Sequence, residues 1–100
     1  MGVDDRDEAN SLIRKKGVME IILALKKNGE MYKEELAVVS GLSSAWVDRQ
    51  LERLKFLGII DSTVEGRKKY FMLTSGRGKK VADALDDFDK KLDDLQDILG

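Results

Sequence analysis

Two groups of side chains in this sequence could do chemistry. The first lies in the stretch SSAWVDRQLERLKFL, residues 43–57, where Ser44, Asp48, Arg49, Glu52, Arg53 and Lys55 set hydroxyls, carboxylates, guanidiniums and an ammonium at helical intervals. The second is the run Arg67-Lys68-Lys69, just after Glu65-Gly66. Guanidinium and ammonium groups donate hydrogen bonds and neutralise anions, which is the chemistry of holding a polyanion. They do not make a catalytic set. The chain has no cysteine and no histidine, so thiol nucleophiles, imidazole bases, disulfides and the usual zinc ligand sets are all absent. Its serines lie at cap positions or in polar runs with no base beside them. No enzyme, catalytic residue or cofactor is therefore expected. Carboxylates alone could hold a hard cation, but here they alternate with lysines and show no calcium-loop spacing, so no metal site is expected either.

Charge placement supports the same reading. The formal net charge is −1, which says little until the charges are located. Residues 41–80 hold nine Lys or Arg against four Asp or Glu, residues 81–100 hold two against seven, and residues 1–40 hold seven against eight. Salt confines exposed charge to about 8–10 Å, so a basic middle can meet a polyanion although the whole chain is slightly acidic.

The elements that must position these groups can be read from periodicity. One hundred residues with 42% apolar content suit one domain with a modest core. Residues 1–9 read as a flexible tail. Residues 10–27 have a helical pattern with Asn10 or Ser11 as cap, and Val18, Ile21, Ile22 and Leu25 form one buried stripe. Leu12, Met19 and Leu23 form a second stripe, which either lies inside the same core or meets another subunit. Asn28-Gly29 stops this helix. Residues 30–32 are a short strand or an extended link. Residues 33–40 form a two-turn helix with a poor N-cap, closed by Gly41.

Ser43 caps the next helix, whose buried seam is Val47, Leu51, Leu54 and Leu57, and Gly58 stops it. Residues 59–64 and 67–73 are strand-like around Glu65-Gly66, with Phe71 and Leu73 on the packed face and a cationic tip at residues 65–69. Residues 74–76 cap a last helix that reaches about Leu99, with Val81, Leu85, Phe88, Leu92, Leu95 and Leu99 in heptad spacing. That helix would be about 36 Å long against a globule about 30 Å across. Its seam either packs back on the first helix or overhangs and meets a second chain.

The order helix, helix-turn-helix, basic hairpin, long last helix resembles the winged helix-turn-helix fold of small prokaryotic transcription regulators. The residues that carry the resemblance are Glu35-Leu36-Ala37, Ser40-Gly41-Leu42-Ser43, Val47, Leu51-Glu52-Arg53-Leu54, Leu57-Gly58-Ile59-Ile60, Gly66-Arg67-Lys68-Lys69-Tyr70 and Leu73-Thr74-Ser75-Gly76. They do not separate the MarR-like, ArsR-like and PadR-like branches, although the lack of cysteine and histidine argues against metal-sensing ArsR-like members. The compact chain is similar to small archaeal and viral proteins of this fold. The implied fold is mainly α with a small β-hairpin, divided into a DNA-binding domain over residues 10–74 and a dimerisation helix over 75–100.

The resemblance implies a homodimer on double-stranded DNA, with helix 43–57 in the major groove and the wing, residues 64–70, on the backbone or minor groove. Carried over by position, Ser43, Ser44, Ala45, Trp46, Asp48, Arg49 and Arg53 would face DNA from the helix, and Arg67, Lys68 and Lys69 from the wing. Arg49 could take a guanine, Ser43 and Ser44 a phosphate, and Arg53 the backbone. Asp48 either accepts from cytosine or, the favoured reading, pairs with a neighbouring arginine. Trp46 is either a flank of the core, the favoured reading, or an aromatic against a thymine methyl or sugar. Dimer contacts would come from Leu12, Met19, Leu23, Val81, Leu85, Phe88, Leu92, Leu95 and Leu99.

A second reading makes the chain a winged-helix interaction module of the transcription or replication machinery. Its carrier would be the acidic face Asp83, Asp86, Asp87, Asp89, Asp93, Asp94 and Asp97. No residue in the apolar stripes identifies a small-molecule effector. The acidic N-terminus and the absence of an apolar run of about 18 residues point to a cytoplasmic protein with no membrane segment.

Overall fold

The computed structural model describes residues 11–100. The tail at 1–9 and the Asn10 cap lie outside them. After a helical turn at residues 11–13, the elements are α1 (Val18–Asn28), β1 (Glu30–Tyr32), α2 (Lys33–Ser40), α3 (Ser44–Phe56), β2 (Ile60–Glu65), β3 (Lys68–Leu73) and α4 (Arg77–Leu99).

The first helix differs from the continuous 10–27 stretch that periodicity predicts, because the chain turns at residues 14–17. Gly17 adopts φ 85°, in the left-handed region that side chains disfavour, and a Cβ there would press on the Leu42 side chain. A periodic apolar pattern continued across this glycine, and the backbone did not. The turn folds Leu12 into the core of its own chain. Leu12 is therefore unavailable to a partner, while Met19 and Leu23 stay half-buried.

The sheet has three antiparallel strands in the order β1-β3-β2: residues 30–32 take the strand alternative and join the expected hairpin. β1 pairs Met31 with Phe71 and Tyr32 with Tyr70, and the two tyrosine rings meet edge to face at 5.9 Å. In the hairpin, Ser62 faces Phe71 and Glu65 faces Lys68, so the turn is only Gly66-Arg67. Lys68 and Lys69 belong to the strand rather than to the tip.

α2 starts better than its poor N-cap implies, because Glu35 Oε1 accepts a hydrogen bond from the Tyr32 N–H at 3.2 Å, half of a capping box. The core joins Val18, Ile21, Ile22 and Leu25 of α1 to Leu36, Val47, Leu51, Leu54, Ile59, Ile60 and Phe71. Each such side chain contributes about 1.5–3 kcal/mol when fully buried, and together they fix α3 against the rest of the body.

A hydrogen-bonded stitch then ties the exit of α3 to the start of α4. Thr74 Oγ1 donates to the Gly58 carbonyl at 2.7 Å and accepts from the Gly78 N–H at 2.7 Å, and Arg77 donates to the Leu57 carbonyl at 2.7 Å. Gly78 is packed so closely that a Cβ would collide with the Ile59 carbonyl oxygen.

α4 has 23 residues, about 35 Å at 1.5 Å each. Its first half packs on the core through Ala82, Val81 and Leu85. Lys26 of α1 clamps it there, donating to Asp86 at 2.7 Å and lying 3.2 Å from Asp83. Beyond this point Phe88, Leu92, Leu95 and Leu99 are between 43 and 77% exposed. The first half of the seam thus packs back on its own core, and the second half is left exposed.

Candidate nucleic-acid interface

α3 is held by its buried side and presents the other. Val47, Gln50, Leu51 and Leu54 are buried and recur at zero, three, four and seven, which is the helical interval for one stripe. Gln50 was missed as a seam residue because it is polar, yet its spacing alone marks it. Its Oε1 is buried with no hydrogen-bond partner among the described residues. Ser43 caps the helix, its Oγ accepting from the Trp46 N–H at 3.4 Å. Ser44, Ala45, Asp48, Arg49, Glu52, Arg53 and Lys55 all lie exposed.

Two readings of α3 need correction. Trp46 is not a flank of the core: it is 50% exposed, and the Arg49 guanidinium lies over its ring, 5.5 Å from the centroid. At about 100° per helical residue, Trp46 lies about 40° outside Gln50, on the side away from Val47, Leu51 and Leu54, just past the edge of the seam. Asp48 does not turn to a neighbouring arginine. Its partner is Lys33, at the start of α2, whose Nζ is 3.3 Å from Oδ2. α2 packs against α3 at this point, and tertiary proximity gives Asp48 the Lys33 ammonium rather than Arg49, its neighbour in sequence.

Between α3 and the hairpin lies an open trough of about 970 Å³. Six cations line it, Lys33, Arg49, Lys55, Arg67, Lys68 and Lys69, against three carboxylates, Glu34, Asp48 and Glu52, with Leu51 and Phe71 among its apolar lining. The structure thus gathers Asp48, Arg49 and the three wing cations of the sequence-predicted set around one concavity. Ser43, Ser44, Ala45, Trp46 and Arg53 are not among its lining residues. Lys33 and Lys55 join the set, and neither stood out in sequence because each is a single lysine within a helix.

Three contacts shape the trough. Lys55 Nζ donates to Ser62 Oγ at 2.8 Å, which bridges α3 to β2. Lys68 Nζ lies 4.6 Å from the Tyr32 ring centroid and Lys69 Nζ 5.6 Å from that of Phe71. Aromatic faces attract cations without neutralising them, so both ammonium groups keep their charge for an incoming anion. No metal-binding group of His, Cys, Asp or Glu occurs among the described residues. No helix among them is long and apolar enough to cross a membrane.

No family model matches the chain, and no curated protein does so either. Solved structures do match. The adhesin competence repressor from Streptococcus pyogenes is 20% identical with a TM-score of 0.76, over 94% of this chain and 71% of that one. The homodimeric winged helix-turn-helix DNA-binding domain of a possible ArsR-family transcriptional regulator from Mycobacterium bovis is 20% identical with a TM-score of 0.73, over 93% and 82%. HlyU from Vibrio cholerae is 20% identical with a TM-score of 0.69, over 81% and 87%. What this chain shares with them is the fold: it is a winged helix-turn-helix with a long C-terminal helix. These neighbours lend no support to the small archaeal type.

Proposed function

We propose that this chain is a sequence-specific, double-stranded-DNA-binding transcriptional regulator that acts as a homodimer. The observation that carries the reading is the trough between α3 and the hairpin, where six cations converge beside the exposed face of a helix. A duplex phosphate backbone is the polyanion whose shape fits a helix and a two-stranded wing at once. α3 would enter the major groove with Ser43, Ser44, Ala45, Trp46, Asp48, Arg49 and Arg53 turned to the DNA, and Arg67, Lys68 and Lys69 would take phosphates or the minor groove. The fold shared with a repressor and with a homodimeric DNA-binding domain supports the same reading.

Dimerisation would use Phe88, Leu92, Leu95 and Leu99, with Val81 and Leu85 at the inner end and Met19 and Leu23 beside it. An exposed apolar seam pairs readily with its own copy across a two-fold axis, and that axis would set two α3 helices about 34 Å apart in successive grooves. For the interaction-module reading, Lys26 and Lys90 engage Asp86, and Lys26 also engages Asp83, so that two of the seven aspartates are already taken and no observation singles out a partner for the rest.

Fluorescence anisotropy on a labelled duplex tests the proposal. Arg49→Ala with Arg53→Ala is expected to weaken binding at least ten-fold, in line with about 1–3 kcal/mol for a bidentate base contact plus one phosphate contact. Undiminished binding by the double variant would contradict the reading.

A further inference from the structure

Trp46 and Arg49 stand together on the outer side of α3, one turn apart, in the helical half that a recognition helix turns to base edges. Trp46 leaves half of its large apolar surface in water, and the buried seam holds no place for it, since Val47, Gln50, Leu51 and Leu54 fill that side. Resting on the DNA-binding reading above, we infer that this pair reads a guanine together with a thymine one or two base pairs away, Arg49 taking the guanine and Trp46 the thymine methyl.

Two rules of base recognition and one observed distance lead to this reading. The guanidinium is the side chain that pairs bidentately with O6 and N7 of guanine. The C5 methyl of thymine is the apolar group exposed on a base edge in the major groove, so an exposed indole has one natural partner there. The guanidinium carbon lies 5.5 Å from the ring centroid, and bases are stacked about 3.4 Å apart along each strand, which places the two contacts one or two steps from each other.

The surroundings keep the pair available. The ring steadies the guanidinium by cation–π attraction and leaves all its N–H donors free for a base. Asp48, the carboxylate next to Arg49 in sequence, is occupied by Lys33 at 3.3 Å. Trp46 is thus a specificity-determining contact and also a positioning residue for Arg49.

The test uses the full chain. Binding sites are selected from a random duplex library, and in the selected site each conserved thymine is replaced by uracil, which removes only the methyl. The expected result is a selected guanine with a thymine within two pairs. For that thymine, uracil should weaken the wild-type protein and Trp46→Phe about four-fold, the effect of losing one buried methyl, and leave Trp46→Ala unchanged. Arg49→Lys should bind mixed DNA nearly as well as wild type but lose the guanine preference.

A selected site lacking the pair, selection that enriches no sequence, a uracil effect absent in wild type, or one that persists in Trp46→Ala would each overturn the inference and leave duplex binding standing. No binding to any duplex would instead overturn the DNA-binding reading, and this inference with it.

Discussion

Asp48 shows how one residue tunes a charged surface. Its carboxylate lies in a trough lined by cations and holds Lys33 at 3.3 Å. In an exposed setting such a pair stabilises the fold by at most about 1 kcal/mol. Its larger effect is on binding, since it removes one positive charge from the trough and sets a negative one near incoming phosphates. Asp48→Asn should leave thermal stability nearly unchanged, tighten binding to mixed-sequence DNA several-fold at low salt and steepen the salt dependence by about one phosphate's worth. Anisotropy titrations at several salt concentrations measure both effects. The exposure of Arg49, Asp48 and Ser44 was legible from helical spacing. The partner of Asp48 was not, because Lys33 stands 15 positions away and only the packing of α2 on α3 brings it close. Trp46 was misplaced because an aromatic beside an apolar seam reads as core, and Gln50 was missed for the converse reason.

At the scale of elements, two junctions hold the helices in place. One is the stitch of Thr74, Arg77 and Gly78 against residues 57–59. Gly78→Ala would drive a methyl into the Ile59 carbonyl, and overpacking of this kind costs about 1–3 kcal/mol, which a urea titration should record. The other junction is the Lys26 clamp on α4. The hydrogen bond to Lys26, and then that to Lys90, holds the Asp86 carboxyl below its ordinary range, and the bond to Asp86 raises the Lys26 ammonium.

A lowered carboxyl stabilises the fold above its unfolded value, about 3.9, and that contribution fades as the pH falls through the folded one. A raised ammonium stabilises it below about 10.4, and that contribution fades as the pH rises through the folded value. The Tm difference between wild type and Lys26→Met should therefore be small and constant from about pH 5 to 9 and should shrink outside that window on both sides. A difference that grows in acid would contradict the clamp.

Helix existence was plain in the sequence wherever apolar residues recur at three and four. What periodicity could not show was the left-handed Gly17, which breaks one helix in two, or the pairing of β1 with β3, which joins residues about 40 positions apart.

The whole molecule separates its charges and its surfaces. Its principal extents are 48 × 37 × 26 Å. The cationic trough and the acidic outer half of α4 belong to different parts of the chain, as the opposite charge balances of residues 41–80 and 81–100 foretold. The overhang of α4 also followed from length alone, since a helix of that size outruns a body of 100 residues. We propose that paired distal seams present two basic troughs to one duplex.

The measurement that tests it most directly is a salt series of binding to mixed-sequence duplex DNA by fluorescence anisotropy, with light scattering in the same buffer. A particle of twice the 11.2 kDa chain mass, whose log affinity falls by about five per decade of salt for about six neutralised phosphates, is the expected result. A monomer, or an affinity indifferent to salt, would contradict it.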